Sequence, residues 1–257
     1  MCHRPFSSAD RLTPSADDTV LLIGTGLTMI DHVVILVGQG HRGPIIAMSR
    51  RGLLPQPHRQ VAAINIDRTE IPLARLRHRW SGCANAFCRA ADWRAVFDAL
   101  RPMMSEMWQS LPVMEKKRFL RHARAWWDVH RHRMAPQIAR QIEALIADGR
   151  LMIVAAKIAG IGDEGGRKIV RFRRQHSALV ETISVDTILD CRGLNNSLSD
   201  TGNPVLRDLA EQGMATSDPL RMGVAVTDDG ALIDASGAAL RNRPADARKI
   251  LGDRGCP

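Results

Sequence analysis

The chain has 257 residues, is 45% apolar and carries a formal charge of +9, which suits a globular protein with a sizeable buried core. Met1 to Ser15 is polar, contains Pro5, Asp10 and Pro14 and has no apolar core of the kind a signal peptide needs, and the longest apolar run, Val33 to Val37, is too short to cross a bilayer. A cytoplasmic protein with no membrane partner is the expectation. Only five of the 36 basic residues are lysines, and they are spread along the chain, so the charge argues for anionic ligands such as phosphorylated cofactors rather than for nucleic acid.

Residues 1–18 read as a polar arm. Val20-Leu21-Leu22-Ile23 then forms a short continuous apolar run, the pattern of a buried parallel strand. Gly24-Thr25-Gly26 breaks it, and Leu27 to Val37 follows as a helix, although its β-branched stretch also fits a strand. Gly38 and Gly40 end this element, and Pro44 to Met48 makes a second strand. Beyond a loop with Pro55, Pro57 and Pro72, helices run from Asp92 to Asp148: Trp93, Val96, Phe97 and Leu100 recur at helical spacing, as do Ile138, Ile142, Leu145 and Ile146. Leu151 to Ile158, Lys168 to Arg174 and Thr182 to Leu189 read as strands, the first two joined by a turn within Gly162 to Gly166.

These elements predict an α/β fold: a Rossmann-like nucleotide-binding domain with a helical insertion and a returning set of strands. The division is an arm at 1–18, the first part of the NAD(P)-binding domain at 19–84, the insertion at 85–149, the returning strands at 150–195, and a remnant of a flavin-domain segment with a divergent tail at 196–257.

A phosphate-binding turn needs one glycine for a left-handed bend and another where the backbone approaches a pyrophosphate, with helix amides facing the anion. Gly24 and Gly26 stand in those places, and Thr25, Leu27, Thr28 and Met29 complete the turn and open the helix. Met29 replaces the usual third glycine and would hold helix and strand further apart. The competing reading is a merely tight turn. Where the second strand ends, an enzyme using NAD tends to carry an acid for the ribose hydroxyls; this chain has Ser49-Arg50-Arg51, which suits the 2′-phosphate of NADP(H). The alternative is that the arginines are solvated loop residues. Asp31 reads as a favourable charge in the first turn of the helix.

Elsewhere the chemistry is thin. Cys2, Cys83, Cys88, Cys191 and Cys256 make no C-x-x-C pair and read as reduced thiols. His130 and His132 point about 200° apart on a helix and cannot share a metal, so no metal site is expected; His130 or Arg131 reaching a ligand competes with a structural role. No G-x-S-x-G, H-E-x-x-H or Walker lysine occurs, and no catalytic residue is assigned. A cofactor that carries the chemistry itself fits that pattern.

The runs Leu21 to Met29, His41 to Pro44, Ser49 to Pro55, Trp93-Arg94, Arg118 to His122 and Trp127 to Pro136 resemble a bacterial family of uncharacterised FAD/NAD(P)-binding oxidoreductases, over roughly Val20 to Ala235. The resemblance implies a two-dinucleotide flavoprotein in which an FAD domain is interrupted by a nicotinamide domain, with hydride passing from NADPH to FAD. Met29 is usual in that family. The FAD fingerprint is missing, so the flavin is expected on another polypeptide or not at all, and FAD as a cofactor of this chain rests on the resemblance alone. Ile188 to Gly193 departs from the family at Arg192, where a threonine is usual, and Arg248 to Pro257 departs altogether, as a truncation would. An inactive fragment and a basic nucleic-acid-binding module using Arg118 to Arg140 are the other two readings.

Overall fold

A computed structural model describes residues 14–66, 92–193, 198, 201–227 and 229–240. Cys2, Cys83, Cys88, Cys256, Pro72, most of the arm and the divergent tail lie outside the described residues.

The α/β class holds. In chain order the elements run β1 (Val20–Ile23), α1 (Leu27–Gly38), β2 (Ile45–Ser49), α2 (Trp93–Leu100), a 3-10 turn (Arg101–Met103), α3 (Met104–Gln109), α4 (Val113–His122), α5 (Arg124–Arg131), α6 (Pro136–Ala147), β3 (Leu151–Glu164), β4 (Arg167–Arg174), β5 (Glu181–Val185) and β6 (Thr187–Asp190), all in the first of two units except residues 113–117 of α4. They build one sheet in the order β5-β4-β3-β2-β1-β6. β6, β1, β2 and the first part of β3 are parallel, with Leu21 opposite Ile46 on one side and Ile188 on the other. The rest of β3 runs antiparallel to β4, and β4 to β5. One strand therefore serves both halves, changing partner after Ala155 and carrying an irregularity between Ile158 and Gly160.

All four residues of β1 are buried because both faces of the parallel sheet are covered. Side chains alternate along a strand. Val20 and Leu22 pack with Met29, Ile30, Val33 and Leu36 of α1 and with Ala139, Ile142 and Leu145 of α6. Leu21 and Ile23 pack on the opposite side with Met48, Val170, Phe172 and Val185, so the β3–β5 meander folds over the second face.

The β-branched stretch of α1 is helical for the same reason. Burying Met29, Ile30, Val33 and Leu36 is worth about 1.5–3 kcal/mol per side chain, whereas the propensity penalty of a valine or isoleucine is a few tenths of a kcal/mol. The positions 29, 30, 33 and 36 form one helical face, which an extended chain would divide between two sides. Gly40, at φ 84°, ends the element, with amides 39 to 41 folded back on Ile35, Leu36 and Val37.

Two details differ from the expectation. The strand anticipated over 182–189 is broken at Asp186, whose amide bonds the Thr19 carbonyl at 2.9 Å while its carboxylate accepts from the Thr19 amide at 2.8 Å and pairs with Arg167 at 2.9 Å. That anchor turns the chain from antiparallel β5 into parallel β6. The last residues before β1 are also tied down: the amides of Arg42 and Gly43 bond the Ala16 carbonyl, and His41 Nδ1 lies 3.1 Å from the Ser15 carbonyl. A Cβ on Gly43 would lie 2.1 Å from the Asp18 carbonyl oxygen, so only glycine lets these segments cross.

The second unit holds α7 (Pro204–Glu211). Asn203 caps it, accepting from the Val205 and Leu206 amides, and Pro204 sits where its missing N–H costs nothing. Isolated bridges Ser217 to Val224, Val226 to Leu232 and Ile233 to Ala239 follow.

Candidate functional site

β1 is the strand at which the parallel order reverses: the chain leaves it for β2 on one side, and its other neighbour is β6. Clefts at the carboxyl ends of strands open at such a reversal, and the Gly24-Thr25-Gly26 turn lies at the carboxyl end of β1.

The two glycines do different things. Gly24 has φ 116°, and a Cβ there would lie 2.7 Å from the Cys191 carbonyl oxygen, so it lets the end of β6 press against the turn. Gly26 is the N-cap of α1 with ordinary extended backbone, φ −87° and ψ −169°, and a Cβ there would meet nothing within 4 Å. Nothing inside the chain requires glycine at that place; what its hydrogen leaves clear is space in front of the helix. No side chain caps α1, and its first turn contains no acid. Its amino-terminal end therefore presents backbone N–H groups and the positive end of the helix dipole to an anion.

Leu27 and Thr28 are exposed at this opening, and Met29 is fully buried between helix and sheet. Met29 thus fills the place of a third glycine as a core residue. Asp31 is the fifth residue of α1 and exposed, so it lies beyond the first turn, where the sequence had suggested it would sit.

Thr25 is buried and its side chain points inward. It donates to the Leu53 carbonyl at 2.6 Å, so in the 2.9 Å contact with Ser49 the Ser49 hydroxyl is the donor. Ser49 Oγ also accepts from the Gly52 amide at 3.0 Å. The hydroxyl of Ser49 thus spends its one proton on Thr25, locking the loop after β2 onto the turn between β1 and α1. Gly52, at φ 61°, completes that bend. Arg50 beside it is exposed and has no ion-pair partner among the described residues, and Arg51 reaches the Arg121 carbonyl at the end of α4 at 3.4 Å.

Cys191, at the carboxyl end of β6, is a buried free thiol that burial, aided by the charge of Asp190, pushes up to about 12, so it is protonated and unreactive at neutral pH. Arg192 is exposed and folded back on Asp190, whose carboxyl it holds below the usual range.

The distinctive helical motifs have structural work. Arg94 is buried and donates to the Pro57 carbonyl through Nε at 3.0 Å and Nη2 at 2.7 Å, with its guanidinium 4.3 Å from the Trp93 ring. Arg133 is 5% exposed and grips Asp98 at 3.0 Å. His130 stacks on Phe97 with ring centroids 5.6 Å apart, meets Trp93 edge-on at 4.7 Å, and hydrogen-bonds the Trp126 carbonyl. Backbone bonds from Gln56 to Val129 and from His58 to Met134 stitch this helical segment to the loop after β2. Arg131 and His132 face solvent. The only local hint that Arg94 and Arg133 are buried is a lone arginine beside an apolar helical face. Among the described residues no group of three His, Cys, Asp or Glu could hold a metal ion, and no described helix is long and apolar enough to cross a membrane.

Asp92 caps α2. The Arg94 amide, foremost, and the Arg59 and Arg94 guanidiniums hold its carboxyl at about 2. A depressed carboxyl contributes stability that is present above its ordinary value of 3.8 and disappears as pH falls through about 2. Between these values the protein is expected to lose stability more steeply than its Asp92→Asn variant, as urea midpoints measured against pH will record. Parallel curves would mean that the pairing has no energetic weight.

No protein-family model and no curated protein matches the chain. Several solved structures do. L-lysine 6-monooxygenase from Pseudomonas syringae matches at 17% identity and a TM-score of 0.48, over 87% of this chain and 43% of that one. The ornithine N-hydroxylase of Kutzneria sp. 744, solved with reduced FAD, NADP+ and L-ornithine, matches at 14% and 0.45, over 85% and 44%. The reduced ornithine hydroxylase of Pseudomonas aeruginosa matches at 13% and 0.44, over 76% and 39%. The chain spans about two fifths of the length of these structures.

Proposed function

We propose that this chain is the NADP(H)-binding part of an FAD/NAD(P)-dependent oxidoreductase, holding the pyrophosphate at the Gly24 to Met29 turn. The observation that carries this reading is Gly26: a glycine with no internal steric duty, at an uncapped helix start, at the point where the strand order reverses.

The residues fit the cofactor. The amides at the start of α1 would receive the pyrophosphate, with the missing Cβ of Gly26 leaving room for it. Arg50 and Arg51 would meet the 2′-phosphate, and Ser49 positions their loop through Thr25 and Gly52. Cys191, a buried thiol pushed up to about 12, is no nucleophile at neutral pH, and the part assigned to the turn and its arginines is to bind and orient the cofactor.

Hydride transfer from the nicotinamide to FAD is the chemistry the cofactor pair supplies when both are bound. A role for FAD is what the family resemblance implies, and its support here is that resemblance alone. Among the described residues only β1 runs through a glycine turn directly into a helix, so we place the flavin on a separate dinucleotide-binding domain or polypeptide, the proposed partner of this chain.

Titration with NADPH, followed by nicotinamide fluorescence, is expected to saturate, and NADH to bind at least about tenfold more weakly, the value of one charge-assisted contact to the 2′-phosphate. No fluorescence change with either nucleotide would refute the binding function; equal affinities would refute the choice of NADP(H).

A further inference from the structure

The cationic ground around the end of β2 is wider than the strand end itself. Arg51 donates to the carbonyl of Arg121, which draws the last turn of α4 to the loop carrying Arg50 and Arg51. All three arginines lack a carboxylate partner among the described residues, and Arg50 and Arg121 are exposed. The nearest acid on the following helix, Asp128, is engaged with Arg124 at 3.3 Å. The Arg121 side chain springs from the residue whose main-chain carbonyl Arg51 touches, and Arg50 adjoins Arg51 in the chain, so three cationic side chains leave one stretch of surface with no carboxylate paired to them among the described residues, a setting that favours an anion. The tie from the Gln56 amide to the Val129 carbonyl fixes the same helical segment to this loop a few residues further on, so the approach of Arg121 is built into the fold.

We infer that the helical segment supplies a second wall of the cofactor site: Arg121, brought to Arg51, binds a phosphomonoester, the adenosine 2′-phosphate, together with Arg50 and Arg51. This assignment rests on the NADP(H) reading above and extends it to an element outside the β-α-β unit. The selectivity for the phosphorylated cofactor is thereby divided between a strand end and a helix end. A guanidinium fork suits the task because it can bind a phosphate through two parallel hydrogen bonds while a neighbouring arginine takes the remaining oxygen.

The test compares the full chain with its Arg121→Ala variant and with Arg140→Ala, which removes an exposed arginine of α6 as a control for net charge. Each is titrated with NADP+, NAD+ and the fragment 2′,5′-ADP, with circular dichroism verifying the fold. Arg121→Ala is expected to weaken NADP+ and 2′,5′-ADP by about tenfold and to change NAD+ by less than twofold, while Arg140→Ala alters none of them. Equal weakening of NADP+ and NAD+, or no change in either, overturns the role of Arg121 while leaving the binding function standing. Failure of the unmodified chain to bind any of the three nucleotides overturns both.

Discussion

Replacing Gly26 by aspartate is expected to abolish NADPH binding and, at the same time, to raise the stability of the folded chain. Both effects come from the same backbone amides. Gly26 is the N-cap of a twelve-residue helix, in the extended conformation an N-cap requires, with no side chain serving the first amides. Aspartate is among the best residues at that position, and its carboxylate beside the positive end of the helix adds about 0.5–1 kcal/mol. Open space around the missing Cβ means that the new side chain enters without a clash. That carboxylate would occupy the amides proposed for the pyrophosphate and repel it, a loss of at least about 100-fold, or roughly 2.7 kcal/mol, in nucleotide affinity. A thermal melt and a fluorescence titration on the same sample read the two effects. If the turn served only to reverse the chain, the melt would still rise and any nucleotide binding would survive.

Gly24→Ala is expected to do the reverse and damage the fold. The positive φ costs about 1–3 kcal/mol for any residue with a Cβ, and pressing that Cβ to 2.7 Å from a backbone oxygen adds a similar amount because neither strand end can retreat. A total of about 4 kcal/mol corresponds to a drop in Tm on the order of 10 °C for a chain of this size. Differential scanning calorimetry measures it. A shift of less than about 2 °C would show that the end of β6 is free to move away from the turn.

The unit from β1 through β2 was legible in the sequence because each part carries its own local signal: a continuous apolar strand, a glycine-broken turn, a helical face and a second apolar strand. Only α1 was ambiguous, and the ambiguity was physical. Val33 to Val37 has the side chains of a strand, and what makes it a helix is the pairing of Met29, Ile30, Val33 and Leu36 with residues of α6 more than a hundred positions away. The break at Asp186 was invisible for a related reason, since the residue turns the chain by bonding Thr19, 167 residues earlier in the chain. Thr25 and Ser49 were legible as neighbours of a candidate site but not as a pair facing inward, because a hydroxyl in a sequence does not disclose where its proton goes. Likewise, the duties of the two turn glycines separate only when the Cys191 carbonyl is seen against one of them.

The placement of β1 between β2 and β6 also governs the order in which the protein can assemble. β2 follows β1 after one short helix, and β3, β4 and β5 form successive hairpins, so those ladders can zip locally at small entropic cost. The other flank of β1 must wait for Thr187–Asp190, almost the whole unit later in the chain. Because the Cys191 carbonyl arrives with that last strand, the Gly24 turn acquires its backing only when β6 is in place. Closure of the space behind that turn is accordingly expected late in folding, once the rest of the sheet is already in register.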